Sequence, residues 1–164
     1  ISNMESTNEK LKTQNFDIIS TILSVMESLE SKAEKQKIKV IFDKIYAPTF
    51  VSANENKISQ VLINLIHNSI IYGKNNGSTK VKIFDLDLYY LIEISDNGIG
   101  IDKDDVDRLC ERFYRVDSSR SIAKGGTGLG LAIVKHIIEL HNQTLNIRST
   151  LGEGSTFSFT LKKS

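Results

Sequence analysis

No histidine precedes His67 in this 164-residue chain, and cysteine and proline occur once each. The lone Cys110 cannot close an internal disulfide, which favours a reducing compartment. With neither a partner base nor a metal cluster beside it, Cys110 reads as a core or near-core residue. Pro48, the only proline, marks a loop. No apolar run approaches the roughly 20 residues needed to cross a bilayer. The amino terminus also lacks the basic-then-apolar order of a secretory signal. The stretch is therefore expected to be a soluble cytoplasmic domain, with any plasma-membrane anchor of a longer parent lying outside it. A formal net charge of +1 offers no broadly basic face, so no nucleic-acid partner is expected and anion binding must be local.

What is present suits one cooperative core, since 40 % of the residues are apolar and two independent domains would be crowded. Residues 1–15 read as a polar linker or tag remnant, and 16–164 as the domain. Ile18, Ile19, Ile22, Leu23, Val25, Met26 and Leu29 recur with helical spacing, predicting one helix from Phe16 to Lys35. Lys39–Phe42 reads as a strand, and Phe50-Val51 as a short one. A helix follows from about residue 54 to Tyr72, capped by Ser52 with Glu55 or by Asn54. Val61, Leu62, Leu65 and Ser69 share its inner face, while Asn64 and Asn68 lie one turn apart on its flank.

Thr79–Leu86 and Tyr89–Ser95 alternate as strands around a turn at Asp87. A short helix follows within Ile101–Phe113, with Val106, Leu109 and Cys110 turned inward. From Thr127 to Leu140 a longer helix carries Leu131, Val134 and Ile138 in one apolar row. Leu145–Ser149 and Thr156–Leu161 close the chain as strands around Gly152 and Gly154. This order predicts helices layered on a mixed sheet rather than a helical bundle.

Gly125-Gly126-Thr127-Gly128-Leu129-Gly130-Leu131 runs straight into that second long helix. Glycine lets backbone approach an anion closely, and a helix start offers unpaired N–H groups and a positive dipole end. The preceding stretch, Tyr114 to Gly126, lacks strand or helix periodicity and reads as a mobile cover. From Glu111 to Lys124 four basic residues (Arg112, Arg115, Arg120, Lys124) oppose two acidic ones (Glu111, Asp117), an excess of +2 suited to phosphates. The ordinary phosphate loop is excluded because Gly130 is followed by Leu131 rather than by lysine and a hydroxyl residue. A dinucleotide fold is excluded because Asp96-Asn97-Gly98-Ile99-Gly100 falls late in the chain, with no acidic ribose ligand on a second parallel strand.

Four elements together resemble another family. They are Gln60–Tyr72 with Asn64 and Asn68, Asp96-Asn97-Gly98-Ile99-Gly100-Ile101, Phe113-Tyr114-Arg115-Val116-Asp117 with the Gly126–Leu131 run, and Gly152-Glu153-Gly154-Ser155-Thr156-Phe157. Over about residues 36–164 the chain resembles the ATP-binding catalytic domain of sensor histidine kinases, within the gyrase, chaperone, histidine kinase and mismatch-repair superfamily. The resemblance implies an α/β two-layer sandwich: a mixed, mainly antiparallel sheet covered by helices on one face, with a mobile ATP lid. It implies ATP and Mg²⁺ as cofactors. Asp96 would accept the adenine amino group, with Gly98, Gly100 and Ile101 beside the base and Thr156 at the same polar end. An ionised carboxylate only accepts, so adenine is favoured over guanine. Asn68, with Asn64 as companion, would hold Mg²⁺, the phosphates and waters completing its shell. Tyr72 would border the nucleotide. Gly126, Thr127, Gly128, Leu129, Gly130 and Leu131 would surround the phosphates, with Arg115 and Lys124 reaching them from the cover.

The superfamily's ATPases carry a glutamate four positions before the magnesium asparagine; here that position is Asn64, and an amide cannot act as the base for water. The resemblance therefore implies transfer of the γ-phosphate to a histidine on a separate dimerisation domain of the same parent. A response regulator would act downstream, and the isolated segment is expected to be monomeric. His67, His136 and His141 lack the setting of an acceptor, although His67 lies near the reacting end. Two departures stand out: Ile71 where relatives commonly place lysine, and Gln143 where glycine is frequent. A protein-serine kinase restraining a transcription factor and a nucleotide-dependent interaction module remain open as alternatives.

Overall fold

The computed structural model describes residues 11–111 and 130–164. Among them are seven strands and five helices. Strand β1 is Gln14–Asp17, followed by α1 (Ile18–Ser28), α2 (Glu30–Lys35), β2 (Lys39–Phe42), β3 (Phe50–Ala53), α3 (Glu55–Ile71), β4 (Ser78–Leu86), β5 (Tyr89–Asp96), α4 (Lys103–Val106), α5 (Gly130–Leu140), β6 (Asn146–Thr150) and β7 (Gly154–Lys163).

The expected single helix from Phe16 to Lys35 is instead a strand and two helices. Asp17 decides the first boundary. Its backbone is extended, and its carboxylate accepts the Ile19 N–H at 3.0 Å as an N-cap and the Thr49 N–H at 2.9 Å. Residues before the cap are left free to pair antiparallel with β3, Phe16 opposite Val51. Gln14 and Asn15, read as linker, thus belong to the sheet. The second boundary is Leu29, whose N–H reaches the carbonyls of both Val25 and Met26 before the chain starts a new helix. At α3 the cap is Asn54, not Ser52: its side chain accepts the Lys57 N–H at 3.0 Å.

The sheet runs β1-β3-β7-β5-β4-β2, with β6 also on β7. All pairs are antiparallel except β2 with β4. One edge of β7 serves two partners, β6 against Gly154–Ser158 and β3 against Lys162–Lys163. The β4–β5 turn falls at Asp87, whose φ of 70° is the left-handed backbone such a short turn requires.

Alternation along the strands turns Val81, Ile92, Ile94, Phe157, Phe159 and Leu161 to one buried face. Helix α3 meets that face with Ile58, Val61, Leu62, Leu65 and Ile66, each fully buried, and burial of each such side chain contributes roughly 1.5–3 kcal/mol. Helices α1 and α5 pack against α3. On α5 the buried row is Ala132, Val134, Ile137 and Ile138; Leu131, expected in it, is only partly buried. The result is an open, mixed, mostly antiparallel sheet flanked by helices, the two-layer α/β fold that the sequence predicts.

Candidate functional site

Strand β5 is central, between β4 and β7, and its last residue is Asp96. In register, Asp96 lies opposite Thr79 on β4 and Ser155 on β7. Opposed residues share a face, so all three side chains point toward the helical layer. Thr79 does not use its hydroxyl on Asp96; it donates to Ser69 of α3 at 2.9 Å, and Ser69 donates to the Ile66 carbonyl at 2.6 Å. Both hydroxyls are buried, and they tie α3 to the sheet beneath the carboxylate.

One carboxylate oxygen of Asp96, Oδ1, accepts the Gly98 N–H at 2.9 Å and the Ser155 N–H at 3.3 Å. Neither bond uses Oδ2. Burial raises the Asp96 pKa above the ordinary aspartate range, with the two N–H groups opposing that shift. An acceptor is thus held in place and partly dehydrated.

The chain leaving Asp96 passes against the end of α3. Ile99 donates its N–H to the Tyr72 carbonyl at 3.2 Å, and a Cβ on Gly98 would lie 2.3 Å from that same oxygen. Gly100 has φ +72°, and a Cβ there would meet the Thr150 carbonyl at 2.1 Å. These two glycines are required by backbone contact alone. Ile101, which is buried, donates its N–H to the Ser149 hydroxyl at 2.7 Å.

Thr156 is not on this face. It lies opposite Ser95, and the two hydroxyls are 2.9 Å apart on the far side of the sheet. The residue beside Asp96 is Ser155. Counting strand alternation from Phe157, which must be buried, would have put Ser155 with it and Thr156 away.

Asn64 and Asn68, both half-buried, lie one turn apart on α3, and Asn64 is on the flank that faces α5. The Asn64 amide donates to the Gly130 carbonyl at 3.2 Å, orienting its nitrogen toward the start of α5 and keeping its oxygen off that contact. Among the described residues, a Cβ on Gly130 would meet nothing nearer than Asn64 at 3.9 Å. Packing against the described residues therefore does not demand glycine there. Arg115, Lys124, Gly126, Thr127, Gly128 and Leu129, and the expected lid, lie outside the described residues.

His67 is half-buried, and burial followed by the Lys32 charge lowers its pKa. The environment that perturbs it includes the amino-terminal helices. Ile71, where a lysine would be expected, is 5 % exposed. At the other departure, the left-handed residue is Asn142 (φ 58°), while Gln143 accepts a hydrogen bond from the Thr160 hydroxyl. Asparagine supplies the turn, so glycine at 143 is not needed.

Residues 53–164 match the family described as histidine kinase-, DNA gyrase B- and HSP90-like ATPases. The chain belongs to this family. It is 37 % identical over 147 residues to the sensor-like histidine kinase SenX3 of Mycolicibacterium smegmatis, covering 88 % of this chain and 38 % of SenX3. It is 34 % identical over 164 residues to the sensor histidine kinase WalK of Bacillus subtilis, covering 98 % of this chain and 26 % of WalK. Among solved structures, the nucleotide-free catalytic domain of histidine kinase ThkA superposes with a TM-score of 0.80 at 26 % identity, covering 93 % of this chain and 97 % of that one. The chain thus spans well under half of these two sensor kinases but nearly all of an isolated catalytic domain. It is an ATP-binding catalytic domain of the histidine-kinase type. No helix among its described residues is long and apolar enough to cross a membrane.

Proposed function

We propose that this histidine-kinase-type domain binds Mg-ATP between α3, α5 and the Asp96 loop and transfers the γ-phosphate to a histidine on a separate dimerisation domain of its parent. The observation that carries the reading is Asp96: a half-buried carboxylate at the end of the central strand, one oxygen fixed by two backbone N–H groups and the other outside those bonds. A dehydrated acceptor in that position matches the exocyclic amino group of adenine and gives no donor to the carbonyl of guanine.

Asn64 and Asn68 fit a magnesium ion that is also bound by phosphates. Among the described residues, no group of three or more His, Cys, Asp or Glu side chains gathers to hold a metal by itself. Neutral amide oxygens beside a nucleotide suit a cation that keeps several phosphate and water ligands. The ion, when bound, neutralises charge on the transferring phosphates. Asn64 orients and does not deprotonate: its amide has no basic lone pair for water, and its nitrogen is engaged by Gly130. Gly130 leaves space at the start of α5 for phosphate. Arg115 and Lys124, with the Gly126–Leu129 backbone, are the proposed contacts from the other side. A dimerisation domain bearing the acceptor would supply the in-line nucleophile, and a response regulator would receive the phosphate next. A separate structure of ThkA is described as a complex with the response regulator TrrA.

The test is incubation with γ-labelled ATP, with and without a matched dimerisation domain. This chain should remain nearly unlabelled, and the partner should gain an acid-labile, base-stable phosphate. Label on serine, rapid hydrolysis of ATP without partner, or no transfer despite verified ATP binding would each refute histidine transfer.

A further inference from the structure

A hydroxyl on β6 lies behind the base pocket, at the meeting point of three segments that the sequence keeps far apart. Ser149 accepts the Ile101 N–H at 2.7 Å, donates to the Gly154 carbonyl at 3.0 Å and lies 2.7 Å from the Ser155 hydroxyl. A serine hydroxyl has one proton and two lone pairs. The Gly154 carbonyl can only accept, so it takes the Ser149 proton. Ser155 must then donate to Ser149, which completes the second lone pair. Every hydrogen-bonding position of Ser149 is used.

This arrangement matters because of what Ser155 would otherwise do. Ser155 is buried and lies on the same face as Asp96, its N–H already on Oδ1. A free hydroxyl there would be drawn to the carboxylate, since hydrogen bonds to ionised acceptors are stronger than neutral ones. It would then occupy a lone pair of Asp96 or present a proton to the pocket. With the Ser155 proton directed to Ser149, the two groups at this end of the sheet offer only acceptors.

We propose that Ser149 is a positioning residue that sets nucleobase specificity through Ser155, holding its proton away from Asp96 so that the site takes a 6-amino purine and rejects a 6-oxo one. This rests on the reading of Asp96 as the adenine acceptor. The probes are ATP and inosine triphosphate, which differ in the base by the 6-amino group against a 6-oxo group and the accompanying N1 proton.

Calorimetric titration of the full 164-residue chain gives the ratio of the two affinities. Ser149→Ala should lower the preference for ATP by roughly 3- to 10-fold, and Ser149→Thr, which keeps the hydroxyl, should restore it. Introduced into a Ser155→Ala background, Ser149→Ala should leave the ratio unchanged, because its effect passes through the Ser155 proton. Ser149→Cys, which fills the site with a weakly hydrogen-bonding thiol, replaces the alanine variant if that one fails to fold. Equal weakening of both nucleotides, or the same change of ratio in both backgrounds, would reduce Ser149 to a structural role and overturn the proposal. A parent chain that binds both nucleotides equally would instead overturn the Asp96 reading beneath it.

Discussion

Asp96 joins recognition to instability in one side chain. Its folded pKa lies above its unfolded value because burial disfavours the charge. Its contribution to stability is therefore full below the ordinary aspartate range and is lost as pH rises through the raised value. At neutral pH the buried charge destabilises the ligand-free domain. Asp96→Asn keeps an oxygen able to accept from Gly98 and Ser155, and it removes the charge. We expect the variant to melt at a higher temperature than the parent at neutral pH, with the advantage disappearing on the acid side of the aspartate range. Its ATP affinity should fall about tenfold or more. Thermal melts across pH and a nucleotide titration check both halves. A variant that binds ATP as tightly as the parent would remove Asp96 from the site. Glycines of one sequence motif type separate in the same way. Gly98→Ala puts a methyl 2.3 Å from the Tyr72 carbonyl, whereas among the described residues Gly130→Ala meets only Asn64 at 3.9 Å. The first should destabilise the domain by about 1–3 kcal/mol as an overpacked position. The second should leave unfolding within about 1 kcal/mol of the parent, or raise stability through helix propensity, while weakening ATP. Denaturant unfolding paired with nucleotide titration distinguishes packing from ligand space.

At the scale of elements, α5 is joined to α3 at both of its own ends. At one end Asn64 donates to the Gly130 carbonyl. At the other, the Asn54 N–H, from the cap of α3, donates to His141 Nε2 at 3.0 Å, and His141 Nδ1 lies 2.8 Å from the Ile137 carbonyl. Accepting at Nε2 requires a neutral ring with its proton on Nδ1, donated to Ile137. Burial lowers the His141 pKa, the Ile137 carbonyl opposes that, and Lys57 adds to the lowering. A depressed histidine contributes stability that is full above the ordinary histidine range and lost as pH falls toward its folded value. His141→Leu should cost about 1–2 kcal/mol at neutral pH by leaving the Asn54 N–H unpaired. That difference from the parent should shrink on acidification. His67, also depressed, is present in both proteins and cancels in the comparison. A cost that is constant with pH would mean that packing, not the hydrogen bond, accounts for His141.

For the whole molecule, pattern and chain order already contain most of the architecture. The period-two runs of β4, β5 and β7 and the helical stripe of α3 identify their own buried faces, because apolar burial is a local demand repeated along each segment. The family motifs identify the Asp96 and Asn68 regions for the same reason: their residue types and spacing are contiguous. Asp17 shows where this stops. Apolar periodicity runs through Phe16 without a break, and only the presence of Thr49 and β3 nearby converts Gln14–Asp17 into a strand. Asn142 shows it again, taking the left-handed turn while Gln143 is committed to Thr160 across the sheet. The sequence by itself determined the layered class, the end of β5 at Asp96 to within a residue and the absence of a basic group at 64. Tertiary structure decided that Ser155 rather than Thr156 shares a face with Asp96, and that Ser149 takes its proton. Those outcomes depend on strand register and on hydrogen bonds between residues up to 59 positions apart, which no local pattern encodes.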